Sequence, residues 1–260
     1  MQQKLLLKWQ NNKPFTALLN KKKTFSSCYK KSCTKPYTKT GEILNNQPIL
    51  QAKNISHQFD YPLFNAINLD LFPKESIAIM GASGTGKSTL LNLLCSLLKP
   101  NSGDVLFENK TIYSLKKREL LNIRRDDFGI IFQAHYLFRG FSAYENLQVA
   151  SLLSKNAINN ALLKELNIDF VMNQGVGELS GGQQQRLSIA RVLTKKPKVI
   201  FADEPTGNLD KKTAQDVINA LFSYIKQNNA GMIIVTHEND IAMQCDKVYE
   251  LIDLELRVIK

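Results

Sequence analysis

Two stretches of this 260-residue chain carry residue types and spacings suited to phosphate chemistry. The first, GASGTGKST, runs from Gly81 to Thr89 and fits the spacing Gly-x4-Gly-Lys-Ser between the apolar runs SIAIM and STLLNLLCSLL. A strand that enters a glycine-rich turn and leaves it as a helix is the setting of a phosphate-binding loop. There the backbone N–H groups of Gly81, Ala82, Ser83, Gly84, Thr85 and Gly86 close round phosphate oxygens. The helix N-terminus adds its dipole, with Thr89 in its first turn. Lys87 supplies a point charge, and the Ser88 hydroxyl is a hard oxygen ligand for Mg2+. A flexible Gly/Ser turn is the plainer account, but spacing and flanks both match the binding loop. The second stretch, VIFADE, ends on Asp203 and Glu204. Open α/β sheets bind ligands at the carboxyl ends of their strands. There Asp203 would hold Mg2+ through its waters and Glu204 would polarise an attacking water. A surface turn at DEP is the weaker account of the acids even in isolation, and much weaker beside a phosphate loop.

Two further polar residues close apolar runs. Gln133 ends FGIIFQ and His237 ends MIIVTH. In a parallel sheet those ends meet at the edge that carries Lys87 and Asp203. A glutamine there can reach the metal, and a histidine can hydrogen-bond a phosphate as charge develops on it. His57 and His135 have no such placement and are assigned no role. A last stretch, LSGGQQQRLSIARVL from Leu179 to Leu193, admits two readings. It is an ordinary helix with Ser180 as N-cap. Alternatively, Ser180, Gly181, Gly182 and Gln183 form a second phosphate cradle.

These groups need a scaffold, and the hydrophobic pattern supplies one. ILQAKNISHQF and NAINLDLF alternate as half-buried strands do, and DVLFENKTI reads as another strand. SIAIM, FGIIFQ, KVIFADE and MIIVTHE are short apolar runs of the buried type. Helical patterns separate them: STLLNLLCSLL, the charged LKKRELLNIRRDD, a stretch from Ala143 to about Asn173, and TAQDVINALFSYIKQ. Buried strands alternating with helices predict a parallel sheet covered on both faces.

Composition narrows the partners. The net charge is +11, but residues 1–47 hold ten Lys against Glu42 alone, so the rest of the chain is close to neutral. That argues against nucleic acid as a partner of the body. The Lys-, Thr- and Ser-rich segment 1–47 reads as a disordered extension, with clustered charge suited to contact with anionic lipid. No apolar run approaches the roughly 20 residues of a membrane span. Cys95 and Cys245 read as core residues, whereas Cys28 and Cys33 lack the companions of a metal site.

GASGTGKST, Gln133, LSGGQQQR, VIFADEP, TGNLD and His237, in that order, resemble the ATP-binding cassette of ABC transporters over about residues 48–260. RDDFGIIFQAHYLFRGFSAYENL and ADEPTGNLD are most similar to the lipoprotein-releasing, macrolide-export and cell-division subfamily. The resemblance implies an α/β phosphate-loop NTPase core with a mainly parallel sheet, a small antiparallel β subdomain, and a helical subdomain at about 134–183 carrying LSGGQ. It implies ATP and Mg2+ as ligands, and two cassettes paired head to tail so that each ATP lies between one phosphate loop and the partner's LSGGQ. It places Phe59, with Tyr61 as runner-up, against adenine, and Asp210 at the dimer interface. It gives Gln133 and the stretch between Glu145 and Leu179, shorter here than is usual, a groove for the coupling helix of a separate integral membrane permease. A peripheral position on the cytoplasmic face of the cell membrane follows. A soluble cassette acting on nucleic acid or in cell division is the alternative, and the chain has neither the long coiled coil nor the duplicated cassette of such proteins.

Overall fold

The apolar runs of the sequence become strands and helix faces, and the strands assemble out of chain order. The computed structural model describes residues 47–207 and 209–260, so the segment expected to be disordered lies almost wholly outside the described residues. The chain runs through β1 (Leu50–Gln58), β2 (Pro62–Leu71), β3 (Ser76–Met80), α1 (Lys87–Leu94), β4 (Ser102–Phe107) and β5 (Lys110–Thr111). It continues with α2 (Lys117–Asn122), β6 (Phe128–Ile131), α3 (Ala143–Ser154), α4 (Asn160–Glu165) and α5 (Gly181–Thr194). Last come β7 (Val199–Asp203), α6 (Lys211–Gln227), β8 (Gly231–Val235), α7 (Asn239–Ala242), β9 (Lys247–Ile252) and β10 (Glu255–Val258).

Six strands form one sheet in the order β10-β9-β3-β8-β7-β6, parallel except for β10. A second, antiparallel sheet has the order β2-β1-β4-β5. Alternate residues of the parallel strands feed two cores. Ala78, Ile200, Ala202, Met232 and Ile234 join Val217, Ile218, Leu221 and Ile225 of α6 in one. Ile77, Ile79, Phe201, Ile233 and Val235 join Leu90, Leu91, Leu93 and Leu94 of α1, and the antiparallel sheet, in the other. Coverage of both faces is the expected arrangement for a parallel sheet. Phe107, Phe128 and Phe201 make two edge-to-face contacts, each with ring centroids 5.1 Å apart, and so tie β4 to β6 and β7. Such pairs contribute about 0.5–1.5 kcal/mol each beyond their buried area.

Three elements differ from their sequence-based expectation. DVLFENKTI is a hairpin: Glu108 and Asn109 both adopt positive φ, 47° and 63°, and turn β4 back into β5. Such left-handed pairs match the twist of two-residue hairpins. The helix expected over Ala143 to Asn173 divides. The reciprocal Ser142–Glu145 capping box starts α3, Lys155 ends it in the left-handed conformation, and Asn159 caps α4 afresh. The charged helix stops at Asn122 and passes into a wider π turn, Ile123–Asp127, before β6. The C-terminal strands β9 and β10 had no counterpart in the sequence reading.

Candidate functional site

The carboxyl ends of β3, β7 and β8 lie side by side, and the loops that leave them enclose one cavity of about 610 Å³. Its wall includes Gly81, Ser83, Gly84, Gly86, Lys87, Ser88 and Thr89. Ala82 and Thr85 are not among the lining residues; the Thr85 hydroxyl donates to the Ala82 carbonyl at 2.9 Å. Gly86 is the N-cap of α1 at φ 98°, and no side chain caps the helix, which leaves its first amides for an outside acceptor. Lys87 is buried; its ammonium donates to the carbonyls of Gly81 at 2.8 Å and Ala82 at 2.7 Å, and so spans the loop it follows. Gly81, at φ 146°, leaves no room for a side chain, because a Cβ would stand 2.8 Å from the Leu251 carbonyl oxygen of β9.

From the opposite wall come Asp203 and Glu204. The Ser88 hydroxyl donates to Asp203 Oδ1 at 3.1 Å, which brings a hydroxyl and a carboxylate together across the cavity floor. Burial pushes the Asp203 carboxyl up from its ordinary pKa, opposed by the Ser88 hydrogen bond. Glu204 leaves the strand at φ 47°, its N–H held by the Val235 carbonyl at 2.9 Å. A glutamate in that region of backbone space is strained, and such strain concentrates at functional sites. His237 Nδ1 lies 2.7 Å from Glu204 Oε2. That hydrogen bond and the negative charge of Glu204 raise the His237 pKa above its ordinary value. Gln133 and His237 both line the cavity, although β6 ends at Ile131 and β8 at Val235, so each sits on a loop just past its strand.

Phe59 and Tyr61 are exposed and line the same cavity. His57 is buried beneath the first of them, its ring edge-to-face with Phe59 at 4.8 Å. The sequence held no signal for this contact. Ser180, Gly181, Gly182 and Gln183 are not among the residues lining the cavity. The Ser180 hydroxyl accepts from the Gln183 N–H at 3.2 Å and Gln183 Oε1 accepts from the Ser180 N–H at 2.8 Å, a reciprocal capping box at the start of α5. Gly181 has open space at its Cβ position, and the helix N-terminus faces outward. Asp210 likewise caps α6, accepting from the N–H groups of Lys212 and Thr213 at 3.1 Å each.

The arrangement can grip a polyphosphate and a hard cation. Its donors are loop amides, one ammonium and one hydroxyl; the oxygens that could hold a cation are those of Ser88, Asp203 and Gln133. Mg2+ keeps several waters and takes one or two carboxylates together with substrate phosphates, which such an open set of oxygens suits. Cys95 and Cys245 are buried in the core, as expected.

The family model described as "ABC transporter" matches residues 64–207. The lipoprotein-releasing system ATP-binding protein LolD of Rickettsia felis is 40% identical over 217 residues, which is 79% of this chain and 96% of that protein. The macrolide export ATP-binding/permease protein MacB of Wolinella succinogenes is 36% identical over 218 residues; the match covers 80% of this chain and 34% of MacB, so the chain spans about a third of that relative. Among solved structures, the dimeric post-hydrolysis state of the ATP-binding cassette MJ0796 bound to ADP and Pi superposes with a TM-score of 0.75 at 32% identity, over 81% of this chain and 98% of that one. Another dimeric MJ0796 structure gives 0.74 at the same identity and coverage. Fold, cavity and relatives agree: the chain belongs to the ABC transporter family, as one of its ATP-binding cassettes.

Proposed function

We propose that this cassette binds ATP with Mg2+ at the cavity between β3 and β7, hydrolyses it, and drives a separate membrane permease of the lipoprotein-releasing or macrolide-exporting kind. The observation that carries the reading is the convergence of Lys87, Ser88, Asp203, Glu204 and His237 on one cavity. In it the glycine-loop amides and Lys87 hold the phosphates, and Phe59 or Tyr61 stacks on the base. Ser88, Asp203 and Gln133 would hold Mg2+, which neutralises developing charge on the phosphates. Glu204 polarises the attacking water, and His237, now bonded to it, is placed to donate to a phosphate oxygen.

The same reading makes the working unit a pair. Ser180, Gly181, Gly182 and Gln183 lie outside the cavity of their own chain and present an outward helix N-terminus, which suits the far side of a partner's ATP. Asp210 would lie at that interface. For the permease, a groove of about 330 Å³ lined by Ile130, Phe132, Phe138, Val149 and Leu153, together with Arg125, Arg191 and Lys195, offers a largely apolar seat for a short helix. Among the described residues no helix is long and apolar enough to cross a membrane. A peripheral position at the cytoplasmic face of the cell membrane fits a cassette whose permease is a separate chain.

The test is Glu204→Gln. It is expected to leave ATP binding intact, to slow turnover by roughly 10²–10⁴-fold, and to accumulate an ATP-bound dimer by size-exclusion chromatography. Turnover near wild type would remove Glu204 from the role of base.

A further inference from the structure

Helix α5 fastens two loops of the site with two side chains. Gln185, 1% exposed, donates from Nε2 to the Pro205 carbonyl at 2.8 Å, and Pro205 directly follows Glu204. Arg191, farther along the helix, donates to the carbonyls of Tyr136 at 2.9 Å and His135 at 3.3 Å, in the loop that begins at Gln133. The Gln185 side chain lies close enough to the His135 ring to bear on its protonation. His135 Nδ1 and Gln185 Oε1 are both buried, and neither completes a hydrogen bond of ordinary geometry. Buried polar atoms without partners are costly and uncommon, and each calls for a physical reason. These two are complementary. An amide oxygen only accepts, and a neutral imidazole donates from Nδ1 in one of its two tautomers.

We propose that His135 is a positioning residue whose Nδ1–H closes onto Gln185 Oε1 when the Gln133 loop seats on the nucleotide, so that Gln185 passes the position of that loop to Pro205 and Glu204. The amide group of Gln185 is planar, so drawing its oxygen toward His135 also turns the nitrogen that holds Pro205. Arg191 holds the carbonyls of His135 and Tyr136 beside α5, which keeps the ring within reach of the amide as the loop seats. Glu204 already leaves β7 in a strained conformation, and a pull on its neighbour Pro205 acts where the backbone has least freedom. The inference rests on the roles proposed above for Gln133 and Glu204.

The experiment measures kcat, KM for ATP and Tm for the wild type, His135→Phe, His135→Asn, Gln185→Met and the His135→Phe/Gln185→Met double variant. His135→Phe is expected to lower kcat about 3- to 10-fold, the worth of one hydrogen bond, with KM and Tm unchanged. His135→Asn keeps an N–H donor and should retain most of the rate. In the Gln185→Met background, His135→Phe should cost nothing more. Wild-type turnover in His135→Phe, equal losses in the phenylalanine and asparagine variants, or losses that multiply in the double variant would each overturn the proposal. His135→Leu replaces the phenylalanine variant should that chain not fold. A wild type that hydrolyses no ATP would remove the underlying function as well, whereas an active wild type with indifferent variants removes the relay alone.

Discussion

Alanine at Gly81 and alanine at Gly84 separate two costs that usually come together. Both glycines have positive φ, 146° and 83°, in the same loop. A side chain in left-handed backbone costs about 1–2 kcal/mol. At Gly84 nothing lies within 4 Å of the added Cβ, so that cost stands alone. At Gly81 the new Cβ would lie 2.8 Å from the Leu251 carbonyl oxygen and 3.1 Å from Thr85 Oγ1. The threonine can rotate, but Leu251 is buried in β9 and its carbonyl belongs to the backbone of a packed strand. Overpacking of that kind adds about 1–3 kcal/mol. At about 3 °C per kcal/mol for a domain of this size, Gly84→Ala should lower Tm by about 5 °C and Gly81→Ala by about 10 °C. Thermal unfolding of the nucleotide-free proteins, followed by circular dichroism, measures both. ATP affinity of Gly81→Ala should fall as well, because the loop must move away from β9 to admit the methyl group. Equal Tm values for the two variants would show that the Leu251 oxygen does not confine the loop, and the steric reasoning would fail.

Two other outcomes follow from the same geometry. His237 should titrate above the ordinary histidine value in the nucleotide-free chain, and Glu204→Gln should bring it back down, as read by NMR of the ring. Because the folded pKa is raised, the pair contributes stability at pH values below the ordinary histidine pKa and loses it as pH rises through the raised value. The wild type should therefore exceed Glu204→Gln in Tm only below that point, and a gap that widens with pH would contradict the assignment. Lys87→Ala and Gly181→Asp homodimers should both be inactive, while a dual-tagged mixed dimer regains hydrolysis, since one of its sites then pairs an intact loop with an intact LSGGQ. A Ser180→Cys chain that cross-links to a phosphate-loop cysteine only within its own chain would refute pairing between chains.

The residues around the cavity were legible because each closes an apolar run. SIAIM and VIFAD are buried until their last residue, so the sequence marks where the sheet stops and chemistry starts. Gln133 and His237 lie two residues past their strands, because Phe132 and the buried Thr236 extend each run past the last residue of its strand. β9 escaped notice because only Val248 and Leu251 of its six residues are buried, which blurs the alternation. The break between α3 and α4 was hidden by helix-compatible residues whose capping geometry appears only with the backbone. His57, given no role from sequence, is buried with its ring against Phe59, a contact that depends on register and not on residue type.

The order of strands in the main sheet also bears on how the protein is made. β3, which aims the phosphate loop, finds its two neighbours in β8 and β9, from the last stretch of the chain. A nascent chain that has emerged as far as Thr89 therefore carries every residue of the loop and none of the sheet partners that hold its base. Pairings this distant in sequence are slow to form, because loop closure must precede any gain from contact. During synthesis the apolar runs of β3 and α1 await β8 and β9, a period in which hydrophobic segments are exposed to misassembly. A ribosome stalled before Gly231 would thus present a complete phosphate-loop sequence with no phosphate-binding site, and truncation ahead of Lys247 would leave Gly81 without the strand it is shaped to meet.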